Sequence, residues 1–333
     1  MSIVSPTSGT GRSGDPAHDV AIRQVDGPDR ERAAAKLVHE SARGSPGAGR
    51  AFLDMAARYN IDVANLWASL KDNHVRQVCL ATPGAGRTLN CFVSTPTSPT
   101  EEQELGEVIR AATRAGSEPR ASTPSPALAQ ALLDPSERPA ERAYLHAGFR
   151  PIASLSYMQG RIPSPKRDRP ATPPPLPPHV TLQHWTPALE HDFIAALDRS
   201  YIDTLDCPEL CEIRQTRDVL ASHLATGEHD PSLWWLIRVE GRPEGALLLN
   251  PCPAQSQIEL VYLGLGPDLR GKKLSAPLLR YAIAIAATKR PERLVVCAVD
   301  HRNAPALRVY QSLGFREFAA RNALVLPLAP GAR

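Results

Sequence analysis

The chain has 333 residues, enough for about two domains. A net charge of +3 is too balanced, and an aromatic content of 5% too sparse, to argue for a nucleic-acid partner. No run approaches 18 apolar residues and the first twenty lack an apolar h-region, so no membrane span, no membrane partner and no signal peptide are expected, and the place expected for the chain is cytoplasmic.

Residues 1–17 are rich in Ser, Gly and Pro and are expected to be disordered. From 18 to 162 the pattern is fainter than in the second half of the chain. VAIRQVDG reads as a strand, and helices are expected near 29–42 and 50–70. VRQVCLAT and TLNCFVST read as a hairpin around PGAGR. EEQELGEVIRAATRAG is a helix, ALAQALLD a strand, PAERAYLHAG a helix, and FRPIASLSYMQGRI the final strands. Then comes PSPKRDRPATPPPLPPH, residues 163–179, with eight prolines in seventeen residues. Such a run favours polyproline II and acts as a semi-rigid spacer.

Residues 180–330 repeat the order more clearly. HVTLQHW is a strand, and TPALEHDFIAALDRSY a helix with Thr186 as N-cap and Pro187 at its first position. PELCEIRQTRDVLASHLATG is a second helix closed by Gly227. LWWLIRVE and EGALLLN are strands, and IELVYLGL is apolar enough for a sheet centre. SAPLLRYAIAIAATKR is a helix, RLVVCAVD a buried strand, APALRVYQSLG a helix closed by Gly314, and FREFAARNALVLPL one or two strands. The alternation is that of an α/β layer architecture. The six cysteines lie mostly in apolar runs and read as free thiols. Cys207 and Cys211 lack a second ligand pair, so no metal is expected.

Two windows align without a gap. PAERAYLHAGFRPIA (139–153) lies over PALRVYQSLGFREFA (305–319), at the constant offset of 166 that separates Tyr144 from Tyr310. That offset is the length of a domain, so each half is expected to be a copy of one fold. Gly148 and Gly314 are expected to end helices in the left-handed conformation, with Phe149 and Phe315 entering the core.

The chemistry-bearing stretch is LGLGPDLRGKKLSAPLL, 263–279: an apolar strand, a turn of Gly and basic residues, then a helix. Backbone N–H groups at a helix N-terminus favour an anion, and Arg270, Lys272 and Lys273 add charge there, so a pyrophosphate fits. With Asn303-Ala304-Pro305-Ala306, Tyr310 and Gly314-Phe315 downstream, residues 180–330 resemble the GNAT superfamily of acetyl-CoA-dependent N-acetyltransferases. The resemblance implies two tandem GNAT-like domains, each a mixed, mostly antiparallel sheet flanked by helices. Acetyl-CoA would be the co-substrate, without a metal, and an unidentified amine the acceptor.

By the same resemblance, strands 258–265 and 293–299 would splay to admit pantetheine, bonded by N–H groups near Leu263 and Leu265. The amides of Arg270, Gly271, Lys272, Lys273, Leu274 and Ser275 would hold the pyrophosphate, and Asn303 would touch the cofactor. Tyr310 would be the general acid and Glu259 the base, its pKa raised in an apolar strand. Asp203, Asp206 and Glu209 would receive a cationic amine. Lys273 and Ser275 stand where the family has glycine or alanine, which leaves a CoA sensor or protein scaffold as the alternative function. The first copy lacks the phosphate loop, and Glu101, Glu102 and Glu104 open its helix instead, so it is expected not to bind acetyl-CoA.

Overall fold

The computed structural model describes residues 20–38, 47–119, 124–163 and 175–328. The expected N-terminal tail and most of the proline spacer lie outside them.

In the first half the elements are β1 (Ala21–Gln24), α1 (Gly27–Leu37), α2 (Ala48–Arg58), β2 (Leu66–Lys71), β3 (His74–Gly84), β4 (Thr88–Val93), α3 (Pro99–Ser117), β5 (Leu128–Leu133), α4 (Arg138–His146) and β6 (Arg150–Arg161). In the second they are β7 (Val180–His184), α5 (Glu190–Tyr201), α6 (Thr216–Leu224), β8 (Trp234–Val239), β9 (Arg242–Cys252), β10 (Gln257–Leu265), α7 (Ser275–Lys289), β11 (Leu294–Asp300), α8 (Ala304–Ser312) and β12 (Arg316–Pro327).

Three expectations need correction. The helix expected over 50–70 ends at Arg58, and 66–71 form β2, which pairs with β3. LWASL is apolar with no helical period, and pairing with the neighbouring strand decides it. The helix expected over 208–227 is a 3₁₀ turn at 208–210 and then α6 from Thr216, with turns between them over 211–214. Thr186 holds the N-cap position but makes no side-chain cap bond.

All twelve strands form one sheet, in the order β1-β2-β3-β4-β5-β12-β6-β11-β10-β9-β8-β7. Among the described residues, only β4–β5 and β10–β11 are parallel. The order shows an exchange: the last strand of each half leaves its own half. β6 pairs with β11 from Leu294↔Arg161 to Asp300↔Leu155, and β12 pairs with β5 from Asn322↔Leu133 to Pro327↔Leu128. The two exchanged strands then pair with each other, Arg316↔Gln159 at one end and Val325↔Arg150 at the other. The repeat offset carries Arg150 onto Arg316 and Gln159 onto Val325, so the halves meet about a local two-fold axis.

Packing reflects the exchange. Met158 of β6 and Ile162 just beyond its end belong to the core beneath α7 and α8, while Leu324 of β12 belongs to the core of α3 and α4. The opposite face of β8–β10 is covered by α5 and α6 through Phe193, Leu197 and Leu220.

The repeated phrase has a local cause. Phe149 N–H bonds the Tyr144 carbonyl at 3.0 Å and Gly148 N–H bonds that of Leu145 at 3.0 Å. Phe315 and Gly314 repeat this on Tyr310 and Gln311 at 3.1 and 3.0 Å. These are the paired bonds of a Schellman cap, which needs φ > 0 at the glycine. Gly148 has φ +94° and Gly314 φ +84°. Each Phe ring then lies beside its own Tyr ring.

Candidate active site

The site is built at the one parallel contact of the second half. β10 and β11 pair only at Ile258↔Val295 and Glu259↔Val296, and beyond that they diverge. A β-bulge between Leu260 and Tyr262, seen as a register shift against β9, starts the divergence. Gly266 N–H bonds the Glu244 carbonyl of β9 at 2.7 Å. By the two-residue period of a strand, Gly264 and Tyr262 face β9 as well, and the backbone groups of Leu263 and Leu265 face the opened gap. A cofactor arm laid there would lie beside those N–H donors. The bulge itself had no signal in the sequence.

At the end of β10 the turn 266–274 leads into α7. Arg270 does not point into this turn. Its guanidinium bonds the Leu265 carbonyl at 2.9 Å and the Ser200 carbonyl at 2.9 Å, tying the strand end to the end of α5. Its side chain therefore holds the loop in shape, and among the described residues Lys272 and Lys273 are exposed cations whose side chains make no such bond. Gly271 has φ +74° and Lys273 φ +56°. Lys273 thus occupies a left-handed position that glycine would take without strain. Among the described residues, the N–H groups of Gly271, Lys272, Lys273, Leu274, Ser275 and Ala276 have no protein acceptor. They form a set of donors at a helix N-terminus, which suits a pyrophosphate.

The first half closes the corresponding place. Ser98 caps α3 by accepting from Glu101 N–H at 3.3 Å, and the Glu101 carboxylate accepts from Thr97 N–H and Oγ1 at 2.8 Å each. This is close to a capping box, with Glu101 N–H satisfied by Ser98 and the Glu101 carboxylate placed over the helix start. Glu102 pairs with Arg142 at 2.6 and 2.7 Å, and Glu104 with Arg76 at 3.1 Å.

The two repeated tyrosines differ in the same sense. Tyr144 donates to the Cys91 carbonyl at 2.9 Å and is spent. Tyr310 is buried, and burial raises its phenol well above the ordinary range, with Cys297, Asp206 and Tyr262 near enough to add to the shift. It therefore carries its proton at neutral pH. Asn303 caps α8, its Oδ1 accepting Ala306 N–H at 3.2 Å.

Glu259 projects from β10 on the face opposite Ile258 and Leu260, which lie in the α7 core. Burial raises its carboxyl above the usual range, and its Oε2 lies 4.0 Å from Cys252 Sγ. The three acids expected to meet the acceptor fare differently. Glu209 is taken by Arg302, at 2.7 and 2.9 Å, and is held low by it. Asp206 is exposed as a residue, but one carboxylate oxygen turns onto Asp300 N–H at 2.8 Å, and desolvation raises its carboxyl. Asp203 is exposed at φ +49° in the turn after α5.

Arg302, which the sequence did not single out, organises this loop. It also bonds the buried Asp300 at 2.7 Å and the Ile152 carbonyl of β6 at 2.8 Å. Burial pushes the Asp300 carboxyl up, but Arg302 and the N–H groups of Arg302 and Cys207 outweigh it and hold it low. Leu210 and Ile213 of the loop pack on Leu128, Ile152 and Val325. The acceptor loop of one half therefore rests on the strands at the centre of the sheet.

Residues 197–315, which include β10, the turn, α7, β11 and α8, match the model of the acetyltransferase (GNAT) family. They are a GNAT acetyltransferase domain. Similar solved structures span nearly the whole chain. A GCN5-related N-acetyltransferase from Sphaerobacter thermophilus is 18% identical with a TM-score of 0.54, covering 95% of this chain and 98% of its own. A tandem GNAT protein from the clavulanic acid biosynthesis pathway is 15% identical with a TM-score of 0.51, covering 94% and 100%. A glucosamine N-acetyltransferase region in a fungal multi-domain GH3 β-N-acetylglucosaminidase is 10% identical with a TM-score of 0.55, covering 93% and 38%. At these identities the likeness is one of fold. No curated protein sequence matches the chain. Within the described residues, no helix is long and apolar enough to cross a membrane, and no three His, Cys, Asp or Glu side chains gather as metal ligands around the GNAT domain or elsewhere.

Proposed function

We propose that the chain is an acetyl-CoA-dependent N-acetyltransferase acting on a primary amine, with residues 180–328 carrying the chemistry and residues 18–162 serving as a non-binding copy. One contrast supports this most: the helix N-terminus after β10 offers unpaired N–H donors and two exposed lysines, whereas that of α3 is capped by Ser98 and Glu101. Acetyl-CoA supplies the activated acyl group. The N–H groups of Leu263 and Leu265 bind the pantetheine arm, and that of Leu263 draws charge onto the thioester oxygen. Those of 271–275 hold the pyrophosphate, the N–H of Arg270 being taken by the Pro267 carbonyl at 3.3 Å, and the amide nitrogen of Asn303 is left to touch the cofactor.

The acceptor must be neutral to attack. Glu259 takes the proton of the ammonium, and Asp203 and Asp206 favour its approach. Amine nitrogen bonds to the carbonyl carbon, the C–S bond breaks, Tyr310 gives its proton to the leaving thiolate, and the attacking nitrogen releases its extra proton to water, from which Tyr310 regains its own. A thiolate is a weak base, so this last step contributes modestly. The enzyme works by direct attack in a ternary complex, since no nucleophile of the chain is assigned to carry the acyl group.

Calorimetric titration with acetyl-CoA tests the reading first. The expected result is one site per chain, weakened several-fold by Lys272→Glu. Two sites would refute the asymmetry, and none would refute the function. One site without turnover on any amine would favour the CoA-sensor alternative.

A further inference from the structure

The middle of the twelve-stranded sheet is bare on the face that carries Glu259. Helices α5 and α6 cover β8–β10 on that face, and the loop carrying Cys207, Leu210 and Ile213 covers Asp300 of β11 and Ile152 of β6, but between them Ala298 is exposed although it sits in a central strand. The pleat sets the neighbours of Ala298. Glu259 pairs with Val296 in β10–β11, two residues before Ala298, and Ala298 pairs with Tyr157 of β6. Met158 points into the α7 core, so Tyr157 points to the Glu259 face. The Tyr157 ring meets Phe318 of β12 edge-on at 6.3 Å, and Phe318 is 52% exposed. Burial raises the Tyr157 phenol, Arg321 lowers it and Glu259 raises it further, so both charges lie within electrostatic reach. Arg321 is itself paired with Asp134 at 3.0 Å.

From this geometry we infer that the acceptor lies over Ala298, with its amine at Glu259 and a flat apolar or aromatic body against Tyr157 and Phe318. Tyr157 is then a specificity-determining residue, supplied to the second half's site by the first half through the exchanged strand. The inference rests on the acetyltransferase reading above. A small alanine between a carboxylate and an aromatic pair leaves room for a flat group against the sheet. An ammonium is attracted by both the carboxylate and the ring faces, and an apolar body gains by covering exposed aromatic surface. A short hydrophilic amine would leave the aromatic pair in water and gain only the carboxylate. In this arrangement the second half has no complete acceptor site of its own, because the wall facing Glu259 comes from β6.

The test compares two probes with the same reactive group, 2-phenylethylamine and ethylamine, on the full chain. kcat/KM is expected to favour 2-phenylethylamine by tenfold or more. Tyr157→Ala and, independently, the cleft-filling Ala298→Leu are each expected to bring that ratio down toward one, mainly through KM, with the acetyl-CoA titration unchanged. Tyr157→Phe should retain the preference. Equal use of the two amines, or a preference untouched by both variants, overturns the inference. So does binding of acetyl-CoA with turnover of neither probe. Failure to bind acetyl-CoA refutes instead the reading on which it rests.

Discussion

Lys273 is the residue where local cost and function meet most directly. It takes φ +56° at the turn before α7, a conformation that costs a side-chain-bearing residue roughly 1–2 kcal/mol. Lys273→Gly is expected to stabilise the protein by about 1 kcal/mol, read as a rise in Tm. Acetyl-CoA affinity separates the two roles of the side chain: it falls if the ammonium contacts phosphate and rises if the side chain crowds it. Glu259 carries the pH prediction. Burial raises its carboxyl in the folded state, so between the ordinary carboxylate range and that raised value the folded chain binds more protons than the unfolded one. Stability therefore falls as pH rises through this window. Glu259→Gln removes that loss, and Tm at neutral pH should rise. The same substitution should abolish the acid limb of the kcat/KM profile along with most of the rate. A gain in stability with a loss of activity marks a functional residue, and a loss of both would mark a structural one.

At the scale of elements, the two copies share a cap and differ at a helix start. Gly148→Ala and Gly314→Ala should each destabilise by about 1 kcal/mol, seen in denaturant midpoints. An added Cβ meets only Leu326 Cδ1 at 3.8 Å in the first and nothing within 4 Å in the second, so the cost is conformational and nearly equal in both. Ser98→Ala should cost about 1 kcal/mol through loss of the α3 cap without creating a second acetyl-CoA site, since Glu101 stays on its helix N-terminus. These features were legible because they are local: a Tyr-x-x-x-Gly-Phe phrase names a Schellman cap, and a Ser followed three residues later by Glu names a helix start. β2 was not legible, because an apolar hexamer has no helical or strand period of its own and its neighbour β3 settles it. The split of the helix expected over 208–227 was hidden for a similar reason. The segment is held by distant residues: Asp300, ninety-three residues away, accepts Cys207 N–H at 3.1 Å, and Arg302 pairs with Glu209.

For the whole molecule, the exchange of β6 and β12 makes the halves interdependent. A chain beginning at residue 180 would expose β11 as an unpaired edge and carry β12 away from its partners. Expressed alone it is expected to dimerise or aggregate in size-exclusion chromatography, and co-expression with residues 18–163 should restore a 1:1 complex. A monomeric, folded second half would contradict this. Among the described residues, Arg302 joins the same parts at the site, bonding Glu209 of the acceptor loop and the Ile152 carbonyl of the exchanged strand. The phosphate-loop turn, Tyr310 and Glu259 lie on consecutive elements of one half, so a resemblance of sequence motifs was enough to single them out as candidates. Tyr157 could not be singled out in this way, since its relevance depends on which strand β6 lies beside. The two copies, their helix caps and the unequal helix starts are written in the chain itself, because they rest on contacts a few residues apart. The strand exchange and the bare central face came from the folded arrangement alone, because pairing across the sheet is a choice among distant partners that no local period encodes.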